Sequence, residues 1–320
     1  MTATALIGAA AIALGATPAA AQTYRWTDRD GVIRYTDRPP RPEEVAPTTP
    51  TAPAPSASAT IAELMEASGL GQQLQWVASS TRAQIQSRLG VLDADERAAV
   101  DRAVAAAFSP SRLHALVDEV LAPRLVGTNA GRVLGWYRAS IGRKIVSAET
   151  VAAMPEAEQQ LAAFAKRRAG RPAERARLER LRRLDVAAGT SEFTFDIVVA
   201  VTQGVRRGIE PFLPVDRQRA LAAAERDLAD TRERAVEQLR TALLVNHDFI
   251  YRDIDDAELD AYLEFLTSPD GRWFTGEIHR ALLHAVRVST EEAIVAIAAV
   301  VPPHLWGKAR PARPAPAPKI

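Results

Sequence analysis

The chain contains no cysteine. That excludes disulfide frameworks, thiolate-ligated zinc, iron–sulfur clusters and thiol nucleophiles, and it leaves no lipid-anchored lipoprotein site after the N-terminal apolar run. Aromatic residues are scarce at 6% of 320 positions, while alanine supplies about a fifth, a helix-favouring balance. Charge of one sign is not in excess. Forty Lys plus Arg face 39 Asp plus Glu, for a net +1, which argues against a wholesale nucleic-acid binder. Lysine is nearly missing too, with Lys144, Lys166, Lys308 and Lys319 alone among the cations. No G-x-S-x-G elbow, phosphate-loop GK[ST] or HExxH pair occurs, so those esterase, nucleotide and zinc chemistries find no support. Beyond the N-terminus no run reaches 18 apolar residues, so no later membrane span is expected.

What is present begins with an address. Residues 3–16 are almost wholly apolar or small, and Thr17 to Gln22 reads TPAAAQ. Ala19 and Ala21 supply the small residues a signal peptidase needs, which predicts a signal peptide over 1–21 and a periplasmic or secreted protein. No Lys or Arg precedes the apolar run; a misassigned start codon or a helical cytosolic N-terminus would also account for that. Next come two β-prone runs, Tyr24 to Thr27 and Val32 to Thr36, around Asp28-Arg29-Asp30-Gly31. The pattern predicts a small hairpin module over 22–38. Prolines 39, 40, 42, 47, 50, 53 and 55 make 39–60 a disordered linker, and the proline-rich stretch 302–320 a disordered tail.

Between Ile61 and Val301 the pattern is helical almost throughout. Ser109-Pro110 and Ser268-Pro269-Asp270 each place a cap and a first-turn proline before an apolar helix. Phe193 to Val201 alternates like a strand, but its counterpart QQLQWVASSTRAQI has a helical pattern, so a helix is expected there as well. That counterpart exists because the region repeats. Leu64 to Gly69 (LMEASG) matches Leu184 to Gly189 (LDVAAG), and VLGWYRASIGRKI at Val133 to Ile145 matches YLEFLTSPDGRWF at Tyr262 to Phe274. Gly142-Arg143 aligns with Gly271-Arg272, and Trp136 with Phe265. The expected fold is therefore mainly α: a duplicated helical bundle preceded by a β-hairpin module and a Pro-rich linker. Half one covers 61–165, a basic connecting helix 166–183, and half two 184–301.

Two family resemblances follow from these residues. Tyr24, Trp26, Asp28, Gly31, Val32, Tyr35, Asp37 and Pro39 resemble domain-of-unknown-function family 4124, an N-terminal module of exported bacterial proteins without an assigned activity. The acidic helix start at Asp255, Asp256 and Glu258, followed by Leu-x-x-Tyr/Phe-Leu and Ser-Pro-x-Gly, resembles domain-of-unknown-function family 2059, strongest over Asp253 to Leu283. That family implies another exported, helical unit without assigned chemistry. In the first half Ala139-Ser140-Ile141-Gly142 stands where the motif has Ser-Pro-x-Gly.

Candidate sites are few. Asp253, Asp255, Asp256, Glu258 and Asp260 could serve an envelope hydrolase, yet helix N-termini attract carboxylates anyway, and capping is the expected role. His279 and His284 are five apart and cannot share a metal; His114, His247 and His304 have no ligand pattern around them and are expected at or near the surface. Gly127, Gly131 and Gly135 have the spacing of small-residue helix packing. One basic cluster rises above background: Lys166, Arg167, Arg168, Arg171 and Arg175, continued by Arg177, Arg180, Arg182 and Arg183. It offers an anion-binding face for lipid headgroups or an envelope polymer, or a solvated connecting helix with Glu179 pairing to Arg175 and Arg183. The reading is an exported, non-catalytic helical interaction or binding module whose partner is an unidentified envelope protein, lipid or polymer. No nucleic acid, cofactor, metal or catalytic residue is expected.

Overall fold

The computed structural model describes residues 24–27, 33–36, 57–71, 74, 94–125, 128–154, 157–170 and 173–301. The signal peptide 1–21, the hairpin turn, the tail 302–320 and most of the linker lie outside the described residues. The hairpin falls in one compact unit, Thr17–Ser56, and the helices in another, whose described residues run from Ala57 to Val301.

In the first unit, strands β1 (Tyr24–Thr27) and β2 (Ile33–Thr36) pair antiparallel, with Tyr24 opposite Thr36 and Thr27 opposite Ile33.

The second unit is helical. α1 (Ala57–Ala67) begins inside the expected linker, because Pro55 is the last proline and nothing after it breaks a helix. There follow α2 (Ala94–Ala107), α3 (Pro110–Leu121), α4 (Thr128–Arg138), α5 (Ser140–Ala153) and α6 (Ala157–Gly170). After these come α7 (Arg175–Ala188), α8 (Thr190–Ile209), a 3₁₀ turn (Glu210–Phe212), α9 (Val215–Asp230), α10 (Arg232–Ile250), α11 (Asp256–Thr267) and α12 (Pro269–Val300). Phe193 to Val201 lies within α8 and is helical. The basic segment 166–183 is not one helix: α6 ends at Gly170 and α7 starts at Arg175. Pro172 between them disfavours helical backbone at Arg171.

α12, 32 residues and about 48 Å long, is the spine. It packs on α8, α3, α2, α4, α11 and α7. Its closest partner is α8, and the sequence shows why. Ala281, Ala285, Ser289 and Ala293 recur every fourth residue on α12, and Ala200, Gly204 and Gly208 do so on α8; all are buried. A Cβ on Gly204 would lie 2.5 Å from the Arg287 carbonyl oxygen, and one on Gly208 would lie 2.7 Å from Ile294 Cβ. Small-residue packing was expected instead at Gly127, Gly131 and Gly135. Gly127 lies outside the described residues; the other two are exposed, and a Cβ on either meets nothing within 4 Å.

The two helix corners match in detail. Ser268 caps α12, accepting from the Gly271 N–H at 3.0 Å, with φ −67° and ψ 160°. Ala139 precedes α5 with φ −68° and ψ 160°, without a side chain able to cap. A Cβ on Gly142 would run into the Trp136 carbonyl, and one on Gly271 into the Phe265 carbonyl. Arg143 donates to the Arg138 carbonyl five residues back, as Arg272 does to Thr267. Trp136 and Phe265 stack on each other, centroids 3.9 Å apart and 9° from parallel. Likewise Gly69 and Gly189 are the positive-φ residues among those described, at 73° and 64°. Each N–H bonds the carbonyl three residues back, Glu66 and Val186 respectively. The halves also depart: α2 buries Val100, Val104 and Ala107, whereas α9 buries no side chain. At the second corner Tyr262, Phe265, Leu266 and Phe274 are buried, and Trp273 is half-buried.

Candidate functional site

The acidic and basic clusters of the sequence find each other. Asp255 caps α11, accepting from the Glu258 N–H at 2.9 Å, and Glu258 accepts from the Asp255 N–H at 3.0 Å, a complete capping box. Arg177 bonds Asp256 at 2.9 Å and the carbonyls of Tyr251 and Ile254. Arg180 bridges Asp256 and Asp260, Arg183 reaches Asp260 at 3.4 Å, and Lys144 holds Glu258. Arg177, Arg180 and Arg183 of α7 thus pair across to α11 rather than with Glu179 on their own helix. Asp255 and Glu258 share a shallow surface cleft with Lys144, while Asp260 lines a different one.

Of the candidate anion-binding residues, Lys166 and Arg167 are exposed on α6 and Arg175 is exposed at the start of α7. Arg168 pairs with the buried Asp248 at 2.7 Å and lies over the Phe164 ring. Arg171 lies outside the described residues. The structure does not bring the five together on one described surface.

Another place draws chemistry together. A cavity of about 150 Å³ lies among α4, α5, α10, α11 and α12 and the two left-handed glycine turns. Its apolar wall includes Leu70, Ile250, Leu266, Phe274, Ile278 and Leu282. Glu149 is part of its wall, carried on the apolar face of α5 beside Ile145 and Val146 and only 4% exposed. Glu149 Oε1 accepts from the Tyr251 hydroxyl at 2.6 Å and from the Tyr262 hydroxyl at 3.1 Å. Burial pushes the carboxyl up to about 7, against the two phenol hydrogen bonds that favour its ionised form. Burial, reinforced by the Glu149 charge, raises all three cavity phenols, Tyr137, Tyr251 and Tyr262, above the ordinary tyrosine value. They stay protonated, and Tyr251 and Tyr262 act as donors to Glu149.

Two histidines line the same space. His279 stacks on Phe193 at 4.2 Å, and burial pushes it down to about 4, opposed by Asp196. His247 is buried rather than superficial, contrary to expectation, because α10 turns it inward beside Leu243 and Ile250. Burial lowers its pKa too, opposed by Asp185. The His247 Nδ1 and Ser68 Oγ atoms are buried at this cavity without a hydrogen-bond partner. Sequence reasoning passed over Glu149. The available signal was a carboxylate at the i+4 position from Ile145, on a face otherwise apolar.

Among known proteins, the family model of a domain of unknown function (DUF4124) matches residues 10–62, which include the hairpin. No curated protein and no solved structure matches the chain. Among the described residues, no helix is long and apolar enough to cross a membrane.

Proposed function

We propose that the chain is an exported binding protein, periplasmic or secreted, whose helical unit takes a small ligand into the cavity around Glu149. The observation that carries this reading is the cavity: an apolar chamber with a few convergent polar groups, two of them buried without partners. Binding is favoured over catalysis because no serine or threonine hydroxyl among the described lining residues is hydrogen-bonded to a histidine. The hydrolase alternative is less favoured, since Asp255 is engaged in a cap and Asp256 and Asp260 in arginine pairs. Export is supported by the apolar N-terminal run and the TPAAAQ site.

The helical unit is further read as a duplication related to family 2059. Support comes from the paired corners at Gly142 and Gly271, the paired turns at Gly69 and Gly189, and the Trp136–Phe265 stack between equivalent positions. The cavity then sits where the halves meet, with Tyr137 and Glu149 from one and Tyr251, Tyr262 and Phe274 from the other.

The test is to express the full chain, recover it from the exported fraction and record native mass spectra of wild type and Ala188→Leu, which grows a side chain into the cavity. A small-molecule adduct on wild type that is missing from the variant is the expected result. Retention in the cytoplasm overturns the export reading; an adduct of equal occupancy on both proteins, or none on either, overturns the cavity reading.

A further inference from the structure

Three acids are buried among the described residues, and two have arginines. Asp185 pairs with Arg240 at 3.0 Å; Asp248 pairs with Arg168 at 2.7 Å and lies 3.6 Å from Arg177. The third, Glu149, has no cation. Neither lysine nor arginine lines its cavity, although arginine abounds elsewhere in the chain. A buried carboxylate without a counter-charge is costly and uncommon away from functional sites.

The rest of the cavity supplies what a cation needs. Both tyrosine bonds fall on Oε1 of Glu149, and the rings of Tyr137, Tyr251, Tyr262 and Phe274 stand around the space. Aromatic faces attract a desolvated ammonium, and a carboxylate beside them supplies the opposite charge. The histidines on the far wall are neutral at pH 7, so no positive group competes. An anion would meet Glu149 without a cation to offset it. The chamber volume, about 150 Å³, matches a guest the size of benzene.

Resting on the cavity reading above, we propose that this site takes a small organic cation: a protonated amine on an aliphatic or aromatic body of about six to ten heavy atoms, its nitrogen against Glu149 and its body against Leu266, Phe274, Ile278 and Leu282.

Isothermal calorimetry on the full chain decides, using benzylamine, benzyl alcohol and benzoate as probes at pH 8. Benzylamine is expected to bind wild type at least tenfold tighter than benzyl alcohol, with benzoate not binding. Glu149→Gln should remove that preference, bringing benzylamine affinity down to within about threefold of that of benzyl alcohol on the same variant. Should that variant fail to fold, the wild type alone suffices, since benzylamine affinity is expected to fall as pH drops from 8 to 5 and Glu149 gains its proton. The groups facing Glu149 in that range are the protonated Tyr137, Tyr251 and Tyr262, with His247 and His279 on the same cavity. Benzyl alcohol or benzoate binding as tightly as benzylamine, a pH-independent benzylamine affinity, or a Gln variant that keeps the preference would overturn the cation assignment and leave the cavity reading standing. If none of the three binds wild type, the cation assignment falls; if the native adduct is also missing, both readings fall.

Discussion

Ionised Glu149 has two phenol hydroxyls and no cation to offset its burial, so the folded protein holds its proton up to about pH 7, whereas an ordinary glutamate releases it near 4.5. Between those values the native state binds a proton that the unfolded chain has lost. Glu149 therefore lowers stability as pH rises from 4.5 through 7, with the full cost present above 7. That cost is on the order of 3 kcal/mol. Glu149→Gln should thus gain stability over wild type in urea unfolding at pH 8 and lose most of that gain at pH 4.5. An equal difference at both pH values would contradict the titration. His279 acts with the opposite sign. Its depressed folded pKa, about 4, means stability is present above 6.5 and lost as pH falls toward 4, so His279→Gln should keep more of its stability across that window. The sequence carries part of this. Glu149 stands among apolar neighbours on one helix face and could have been singled out for that. Its partners could not, because Tyr251 and Tyr262 lie 102 and 113 residues away and nothing local encodes which faces meet.

Helices follow the sequence closely wherever a single element decides the outcome. Ser109 and Ser268 cap as their Ser-Pro context predicts, and α3 buries Leu113, Leu116, Val117, Val120 and Leu121, one continuous stripe. The α8 helix runs against the alternation of Phe193 to Val201, which taken alone favours a strand. Glycine roles were misread, because spacing alone does not say which stripe has a partner helix. Two substitutions separate the cases. Gly204→Ala pushes a Cβ against the α12 backbone and should cost about 1–3 kcal/mol despite better helix propensity. Gly131→Ala, at an open helical position, should gain up to about 1 kcal/mol. Thermal unfolding of the two variants checks both signs, and a stabilised Gly204→Ala would refute the tight α8–α12 seam.

For the whole molecule, the proposed duplication makes its own demand. If Gly142 and Gly271 occupy equivalent corners, alanine at either position must force apart the same carbonyl, so the two variants should be destabilised by similar amounts, about 1–3 kcal/mol each. Urea unfolding that shows one of them neutral would break the equivalence. The pairing of α7 with α11 shows the limit of reading at this scale. Each charge run was visible in the sequence, but that Arg177, Arg180 and Arg183 neutralise Asp256 and Asp260 across some 80 residues was not. Arg177, Arg180 and Arg183 belong to an ion-paired seam with the acidic helix start, Lys166, Arg167 and Arg175 stay exposed outside it, and separate chemistry gathers at the cavity on Glu149. Carbon-13 NMR titration of the glutamate carboxyls, with Glu149 assigned by the Gln variant, tests that chamber most directly. Glu149 is predicted to titrate at about pH 7, well apart from the exposed glutamates. A Glu149 signal that titrates with the others near 4.5 would mean a solvated carboxylate, and would contradict a cavity built around a buried one.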